Sequence, residues 1–565
     1  MEKDNLNTSR HSLSHILAAA VLEIFPETKL GIGPAIETGF YYDFDLPKNI
    51  TPEDLPKIEK RMRDIISQDI PFQKEEVSKK EAIDTLKKTG QIYKIELVNE
   101  LPDENVTFYK TGDFIDLCKG PHINSSGELK NVAWKLDKTA GAYWRGDEKN
   151  KMLQRIYALV YETPAELDEF IKNREEAEKR DHKKIGRNMD LFSFHPDAPG
   201  MPFWHEKGML LWNTLETFGK KLRKENNFIE IKTPVIAKNS LWIQSGHWDH
   251  YKDSMFHFEL DKETYCIKPM DCPFNIKIYQ TKNRSYKELP IRYTEIGHCF
   301  RHEKSGELNG LLRVQEVTQD DSHIFAMESQ VKNEITTLLK MIKVYYKSMA
   351  LVPKFFLSTR PDDYMGEIDV WEKAEKSLKE TLEENDLDYE IKEKDGAFYG
   401  PKIDVDIKDA LGRAWQVATI QLDFQLAGKF GCEYIDDMGE KKTPVIIHAA
   451  IFGSFERMIG ILLEHTAGNL PVWLAPIQVI ILPVSEKHID YAKKVADELK
   501  DIRVEIDERN ESVGKKIRDA ELQKVPYIIV VGDKEIADEN LSVRTRGSKE
   551  LKVMKTLELI DIIND

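Results

Sequence analysis

Arginine and glutamate side chains flank a polar loop near the middle of the chain. Arg301 and Glu303 follow an alternating apolar strand that begins at Ile291, and Arg313 lies just beyond the loop at residues 304–310, in a return strand predicted at residues 311–317. A hairpin of this kind would place the three charges on one face of a sheet. Buried guanidinium groups need partners, and their fork of donors fits a phosphate. An exposed hairpin with solvated charges is the alternative that these residues alone leave open.

Histidine and cysteine residues with a four-residue spacing occur twice in the first part of the chain. His11 and His15 would share one face of a helix, and Cys118 and His122 repeat the spacing later. Either pair by itself is more often a pair of surface side chains. Together the four side chains predict a pocket suited to metal binding or to acid–base chemistry.

Four segments of the chain would position these residues. Residues 1–160 mix helices and strands, and residues 161–190 predict a charged linker helix that opens with a Thr163 capping box. Residues 191–475 alternate helices and strands around the hairpin. Residues 476–565 alternate buried strands with amphipathic helices, which predicts a mainly parallel α/β sheet. We therefore expect a multi-domain protein with α+β and α/β parts.

Composition excludes several classes of protein. The chain has 565 residues, 41% of them hydrophobic and 32% charged, and its net charge is −16, which argues against indiscriminate nucleic-acid binding. Long apolar runs are absent, so we expect neither secretion nor membrane insertion, and the cytoplasm is the expected compartment. A small, odd number of cysteines does not indicate a disulfide framework. The five cysteines are Cys118, Cys266, Cys272, Cys299 and Cys432.

The order of residues in the hairpin resembles motif 2 of class II aminoacyl-tRNA synthetases. The longer string from Arg301 to Phe325 is similar to the threonyl-tRNA synthetase family. The turn and helix around Arg457 resemble motif 3, and the helix and strand at residues 208–234 resemble motif 1, which forms the class II homodimer interface. No P-loop pattern occurs, which agrees with an antiparallel ATP site. The resemblance covers nearly the whole chain.

This resemblance implies a class II antiparallel-sheet catalytic domain at residues 191–475. It would activate threonine with ATP and Mg²⁺ and pass the threonyl group to the 3′ adenosine of tRNA(Thr). By the same resemblance, Arg301 would hold the α-phosphate, Glu303 would read the adenine amino group and Arg457 would hold the γ-phosphate. Further residues implied to contact ATP, substrate or the tRNA end are Arg313, His247, Lys402, Gln319, Asp321, Tyr399, Gln416, Thr419, Gln421 and Ser454.

The same resemblance implies one zinc ion per subunit, held by Cys272, His323 and His448. Three protein ligands leave positions open for a substrate, and threonine can chelate through its amino group and hydroxyl. Valine lacks the hydroxyl and would be rejected. Serine lacks only a methyl group, and a missing methylene discriminates by only about 1–3 kcal/mol. Because such weak discrimination would let serine be activated by mistake, a second, hydrolytic site has a physical reason to exist.

Residues 1–160 resemble the editing domain shared by threonyl- and alanyl-tRNA synthetases. The resemblance implies hydrolysis of mischarged seryl-tRNA(Thr) by His11, His15, Cys118 and His122, with further pocket residues Asp116 and Lys94. The alanyl type of this domain holds zinc, whereas the threonyl type is described as metal-free, so the metal status stays open. A small ubiquitin-like domain that commonly precedes this unit is expected to be missing.

The last ninety residues or so, 476–565, resemble the anticodon-binding domain of class IIa synthetases. Residues implied to read anticodon bases are Asn510, Arg518, Glu535 and Arg544.

Two alternatives remain. Another class II synthetase, specific for serine or proline, should lack both the Cys272, His323, His448 trio and the editing quartet. A non-enzymatic tRNA-binding paralogue should have lost an ATP-binding arginine or a metal ligand, yet all of them are present.

Overall fold

The computed structural model describes residues 3–564, so the outermost residues of the two terminal domains lie outside the described part. The chain divides into two compact units, Met1–Glu175 and Glu176–Asp565. Each has its own apolar core. Within the described residues, every helix is too short or too polar to cross a membrane.

The first unit is built on one long helix and two sheets. Helix Lys3–Ile24 buries Leu13, Ile16 and Leu17 against the larger sheet. The other helices are Leu55–Ser67, Lys79–Lys88 and Ile92–Glu100. The larger sheet has strands Lys29–Leu30, Ala35–Ile36, Gly39–Asp45, Ala133–Tyr143 and Met152–Tyr161, and the smaller has Gln73–Ser78, Asn105–Thr111 and Phe114–Leu117.

The predicted linker helix is two helices. Thr163 and Glu166 form the expected reciprocal cap, with Thr163 Oγ1 accepting from the Glu166 N–H at 3.3 Å. Helix Pro164–Lys179 then ends, and Asp181 caps a second helix, His182–Asn188, by accepting from the Lys183 N–H at 2.7 Å. The prediction of one continuous helix was therefore wrong, because an acidic N-cap residue begins a new helix within the charged run.

The second unit contains an eight-stranded, mostly antiparallel sheet. Its strands, in spatial order, are Ile229–Glu230, Ile291–Phe300, Glu316–Ala326, Val445–Ser454, Ala414–Asp423, Lys402–Lys408, Pro353–Ser358 and Tyr389–Lys392. Only the two outermost pairings are parallel. The main helices of this region are Glu206–Glu225, Cys272–Tyr279, Val331–Ser348, Ile368–Glu384 and Phe455–Thr466. The eight strands form the antiparallel sheet that the resemblance to class II synthetases implied.

The central hairpin is present, but its return strand begins later than predicted. Residues 311–317 were expected to be a strand, whereas the strand begins at Glu316. Leu311 is fully buried, and Gln315 uses its backbone to bond Gly200 and Arg301 at 2.8 Å each. Burial of the leucines and these outside partners explain why residues 311–315 form a folded loop instead of a strand.

The C-terminal part of the second unit has a five-stranded sheet of mixed direction. Its order is Val504–Ile506, Val479–Pro483, Tyr527–Val531, Leu541–Thr545 and Leu551–Met554. The first three strands are parallel, as the alternation predicted, and the last two are antiparallel additions. Helices Ile489–Glu498, Val513–Leu522, Asp533–Asp538 and Thr556–Asn564 accompany it.

Candidate active site

A cavity of about 280 Å³ lies at the loop end of the hairpin in the second unit. The folded loop at residues 311–314 and strands Glu316–Ala326, Ala414–Asp423 and Val445–Ser454 form its walls. Eight of the predicted site residues line it: Arg301, Glu303, Arg313, Gln319, Gln416, Thr419, Ser454 and Arg457.

Three arginines converge on this cavity. Arg301 donates from Nε to the Pro269 carbonyl at 3.3 Å, and Arg313 donates to Glu303 at 3.0 Å. Arg457 donates to the Leu312 carbonyl at 3.2 Å. Burial, followed by the nearby charges of Arg301 and Arg313, lowers the pKa of Arg457. Mutual repulsion of this kind would be relieved by a polyanion, so the site is built to take one.

Two buried carboxylates that the sequence analysis did not single out hold the turn before Arg457. Glu456 accepts from the Ser454 hydroxyl at 2.6 Å and from the Thr318 N–H at 3.0 Å. Burial raises the pKa of Glu456 to about 7. Asp320 accepts from the Gly453 N–H at 3.1 Å and also pairs with Arg223. The available sequence signal for these two carboxylates was that each stands directly beside a predicted site residue, Glu456 beside Arg457 and Asp320 beside Asp321.

Asp404, on strand Lys402–Lys408 of the sheet, holds two of the polar residues that line the cavity. It is fully buried and accepts from Gln416 Nε2 at 2.6 Å and from the Thr419 hydroxyl at 3.1 Å. Lys402 Nζ lies 2.9 Å from its other oxygen. Lys402 therefore faces Asp404 and does not line the cavity, although it was predicted with the catalytic group.

Cys272, His323 and His448 form a compact, buried trio. One donor atom from each lies within 4.8 Å of the others, and the three residues are 5%, 1% and 6% exposed. His323 and His448 are direct cross-strand partners, and Cys272 begins helix Cys272–Tyr279. The fold thus brings together three residues that are far apart in sequence.

The donor set of this trio fits a zinc ion. His323 Nδ1 is buried without a hydrogen-bond partner, and among the described residues no side-chain hydrogen bond joins members of the trio. Burial, then the neighbouring His448, lowers the pKa of His323 well below its ordinary value, which keeps the ring in its ligand form. Asp423, a residue that the sequence analysis missed, lies 2.9 Å from His448 Nε2 and orients that ring.

Four further predicted residues lie around the trio instead of lining the cavity. Tyr399 hydrogen-bonds Gln421, and its ring centroid lies 5.1 Å from that of His448, with the two rings tilted by 40°. His247 is buried beside Ser245, and its pKa is lowered to about 3, first by burial. Asp321 lies 3.9 Å from His323 Nδ1, and its pKa is raised well above the ordinary value, chiefly by burial.

The first unit brings His11, His15, Cys118 and His122 together as one cluster within 4.8 Å. Cys118 Sγ lies 3.1 Å from His11 Nε2 and 3.4 Å from His122 Nε2. Ser12 holds the other nitrogen of His122 at 3.1 Å, a contact that the sequence analysis missed.

Charge in this cluster is balanced by a buried network. Asp116 lies 2.7 Å from Lys94 Nζ and accepts from the Tyr42 hydroxyl at 2.5 Å. His15 Nε2 is 3.9 Å from the same carboxylate. Asp116 and Lys94, the two further residues predicted for this pocket, are therefore next to the quartet. Burial raises the pKa of Cys118 to about 11, so its thiol is protonated at neutral pH.

The four residues expected to read anticodon bases are dispersed over the C-terminal sheet region. Asn510 lines a small cleft with Arg509 and Lys516, and Arg518 is exposed. Glu535 accepts from Ser542 at 2.7 Å, and Arg544 pairs with Glu521. The last two are therefore held by neighbours within the sheet region.

Three segments of the chain match known protein families. Residues 256–466 match "tRNA synthetase class II core domain (G, H, P, S and T)" and residues 478–565 match "Anticodon binding domain". Residues 106–157 match "Threonyl and Alanyl tRNA synthetase second additional domain".

Curated relatives are similar over the full length. Threonine–tRNA ligase of Clostridium tetani is 49% identical, covering 100% of this chain and 88% of the relative. That of Carboxydothermus hydrogenoformans is 50% identical, covering 98% and 87%. Among solved structures, the RNA binding domain of threonyl-tRNA synthetase from Cryptosporidium parvum is 39% identical with a TM-score of 0.66, covering 68% of this chain and 98% of that one.

Proposed function

The chain belongs to the threonine–tRNA ligase family, and from that premise we propose which of its residues carry each step. It is an aminoacyl-tRNA synthetase with a class II core, an anticodon-binding domain and an editing-associated domain. Its substrates are ATP, threonine and tRNA. We assign editing to residues 1–160, a linker to 161–190, catalysis to 191–475 and anticodon binding to 476–565.

The ATP site is the cavity on which Arg301, Arg313 and Arg457 converge, and this convergence carries the proposal. Arg301 binds the α-phosphate and Arg457 the γ-phosphate, while Glu303, held by Arg313, accepts from the adenine amino group. Positioning and charge stabilisation by these side chains, with Mg²⁺ bound to ATP, account for catalysis without a covalent intermediate on the protein.

Cys272, His323 and His448 would hold one zinc ion per chain. When bound, the ion supplies a Lewis acid with open positions for an amino group and a hydroxyl. Tyr399 and Gln421 fix the polar wall beside the trio through their mutual hydrogen bond. His247, buried next to Tyr399, would assist proton transfer as the threonyl group moves to the tRNA end.

The quartet in the first unit would hydrolyse seryl-tRNA(Thr). Neutral histidines and a protonated thiol can orient a water by hydrogen bonds, and Lys94 with Asp116 gives a polar pocket wall. A metal-free reaction is the version that these contacts support, because Cys118 already hydrogen-bonds two of the histidines.

Three further assignments complete the proposal. The homodimer would form through the edge strand Ile229–Glu230, where Ile229 and the nearby Ile236 are 53% and 51% exposed. The anticodon contacts would come from Asn510, Arg518, Glu535 and Arg544. The cytoplasm is the proposed compartment, because all five cysteines are free, as is usual in a reducing environment.

Amino-acid-dependent ATP–pyrophosphate exchange tests this function. We expect exchange with threonine, weaker exchange with serine, and almost none with valine or proline. Arg457→Ala should reduce threonine-dependent exchange by on the order of 100-fold or more, since removal of one preorganised charge partner has this effect in other sites. Arg187→Ala is the matched control, because Arg187 is exposed on helix His182–Asn188. Exchange led by another amino acid would contradict the assignment.

A further inference from the structure

We propose that His182 is a positioning residue for the ATP site, because its imidazole fixes the backbone of the loop that carries Arg313. His182 is 1% exposed and begins helix His182–Asn188 in the second unit. It does not line the cavity, so it would act only through the loop. The inference rests on the ATP site proposed above and adds a residue that touches neither ATP nor threonine.

Both nitrogens of the His182 ring are committed. Nδ1 lies 2.6 Å from Glu464 Oε1, and Nε2 accepts from the Leu311 N–H at 3.0 Å. Glu464, on helix Phe455–Thr466, also pairs with Arg413. Burial alone would raise the pKa of Glu464, but hydrogen bonds from His182 and Arg413 hold it below its ordinary value. Glu464 is therefore a carboxylate, which can only accept.

These contacts allow one tautomer of the ring. Because Glu464 accepts, Nδ1 must carry the hydrogen; because an amide N–H donates, Nε2 must present its lone pair. Asp181, His182 and Glu464 have donor atoms within 4.8 Å of one another, as in a metal site. Both ring nitrogens are already engaged, so the cluster is a hydrogen-bonded junction between a helix and a loop.

Gly310 gives a second, independent sign of this anchor. Its φ is +51°, and a Cβ added there would lie 2.2 Å from His182 Nε2. The loop backbone therefore turns directly against the imidazole, with no room for a side chain. Gly306, in the same loop, has open space around it. Close approach at one glycine and not at the other indicates a specific contact.

The anchored segment leads straight into the ATP cavity. Leu311 and Leu312 are 0% and 4% exposed, and the Leu312 carbonyl accepts from Arg457 Nε at 3.2 Å. Arg313 follows and holds Glu303 at 3.0 Å. Release of the Leu311 N–H from His182 would therefore loosen both the arginine pair and the glutamate. Threonine binds at the separate trio and should be little affected.

Two substitutions separate the ring's two contacts. Asparagine at His182 can still donate to Glu464, but it is too short to accept from Leu311. Glutamine can reach the Nε2 position and present an oxygen to the Leu311 N–H. We expect His182→Asn to raise the KM for ATP about tenfold, the effect of leaving a buried donor unpaired. His182→Gln should stay within about threefold of wild type, and the KM for threonine should hardly change in either variant.

The experiment is ATP–pyrophosphate exchange on the full chain, with ATP and threonine varied in turn and thermal unfolding recorded for each variant. Equal KM values for ATP in folded His182→Asn and His182→Gln would overturn the proposal, as would parallel changes in both KM values. If His182→Asn does not fold, Gly310→Ala against Gly306→Ala decides: equal KM values for ATP would refute the anchor. Wild type without threonine-dependent exchange would instead refute the proposed function.

Discussion

The protein contains two clusters of histidine and cysteine that look alike in composition and differ in their surroundings. In the first-unit quartet, Cys118 Sγ lies 3.1 Å from His11 Nε2 and 3.4 Å from His122 Nε2, while His15 Nδ1 is buried without a hydrogen-bond partner. Among the described residues, no side-chain hydrogen bond joins the members of the second-unit trio, and His323 Nδ1 is likewise buried without a hydrogen-bond partner. The quartet's thiol is thus already engaged by two histidines, whereas the side chains of the trio are not hydrogen-bonded to one another, and this difference favours an ion in the trio.

Burial strengthens the contrast between the two clusters. All three members of the trio are buried, while Cys118 and His122 are only partly covered. Under the proposed function, the partly open pocket would admit a water and a tRNA end, and the closed one would shield a metal and a small substrate. The lesson is that donor types identify a candidate site, and that the partners of each donor decide its chemistry.

The largest predicted effect is the loss of amino-acid activation in Cys272→Ala. Removal of one of three ligands should lower threonine-dependent exchange by more than the 10- to 100-fold usual for outer contacts, on the order of 1,000-fold. Hydrolysis of preformed seryl-tRNA(Thr) should stay unchanged, because the quartet lies in the other unit. A parallel fall in activation and in editing would contradict separate roles for the two clusters.

The reciprocal change, His122→Ala, should remove editing and spare activation. His122 touches Cys118 at 3.4 Å, and loss of a positioned acid–base group typically costs about 100-fold or more. Deacylation of seryl-tRNA(Thr) and threonine-dependent exchange would be measured on one preparation. Exposed His257, which lies outside both clusters, supplies the His257→Ala control. A fall in threonine activation in His122→Ala would count against separate roles.

A smaller effect is expected from substituting residues that orient a cluster histidine but do not belong to the cluster. Asp423→Asn should weaken zinc retention about 10- to 100-fold, since the carboxylate fixes His448 at 2.9 Å. Ser12→Ala, which frees His122 Nδ1, should leave zinc retention unaltered and slow editing less than tenfold. Competition with a chelator measures the first and deacylation the second. Similar zinc loss in both variants would contradict the assignment of zinc to the trio alone.

The smallest effect concerns acid stability of the quartet. Burial, then neighbouring positive groups, lowers the pKa of His15 well below its ordinary value, and burial chiefly lowers that of His122 to about 2. Unfolded histidines bind a proton near pH 6.5, and these folded ones do not. The unfolded state thus binds more protons below about pH 6.5, and the free energy of unfolding falls as pH decreases, by up to about 1.4 kcal/mol per pH unit per histidine.

Chemical denaturation of the full chain at pH 7.5, 6 and 5 would check this slope. In His122→Gln the slope should be shallower by as much as one histidine's share, because the titrating group is gone. An identical slope in wild type and His122→Gln would show that His122 does not contribute.

Sequence reasoning anticipated the hairpin because alternation and glycine punctuation are local signals. Helix and strand content of the C-terminal sheet followed for the same reason, although its two antiparallel strands did not. The return strand was placed too early, since residues 311–315 alternate like a strand but are turned inward by the burial of Leu311 and by backbone bonds to Gly200 and Arg301. Tertiary packing overrode the local pattern.

The site residues divide in the same way. The arginines of the cavity could be named from their motif, but the closeness of His323 and His448 depends on strand register, which no local spacing reveals. Asp404 and Asp423 were missed because a buried carboxylate in a strand carries no local mark until its partners are seen. His182 was passed over as part of a charged helix, since its contacts with Leu311 and Glu464 arise only in the folded chain.

Metal analysis of purified, zinc-replete protein tests the central contrast most directly. The measurement is zinc per chain in wild type, Cys272→Ala and Cys118→Ala, each shown to be folded. We predict one zinc in wild type and in Cys118→Ala, and none in Cys272→Ala. Zinc that persists in Cys272→Ala but is lost in Cys118→Ala, or two zinc ions in wild type, would contradict the assignment of a metal to the trio alone.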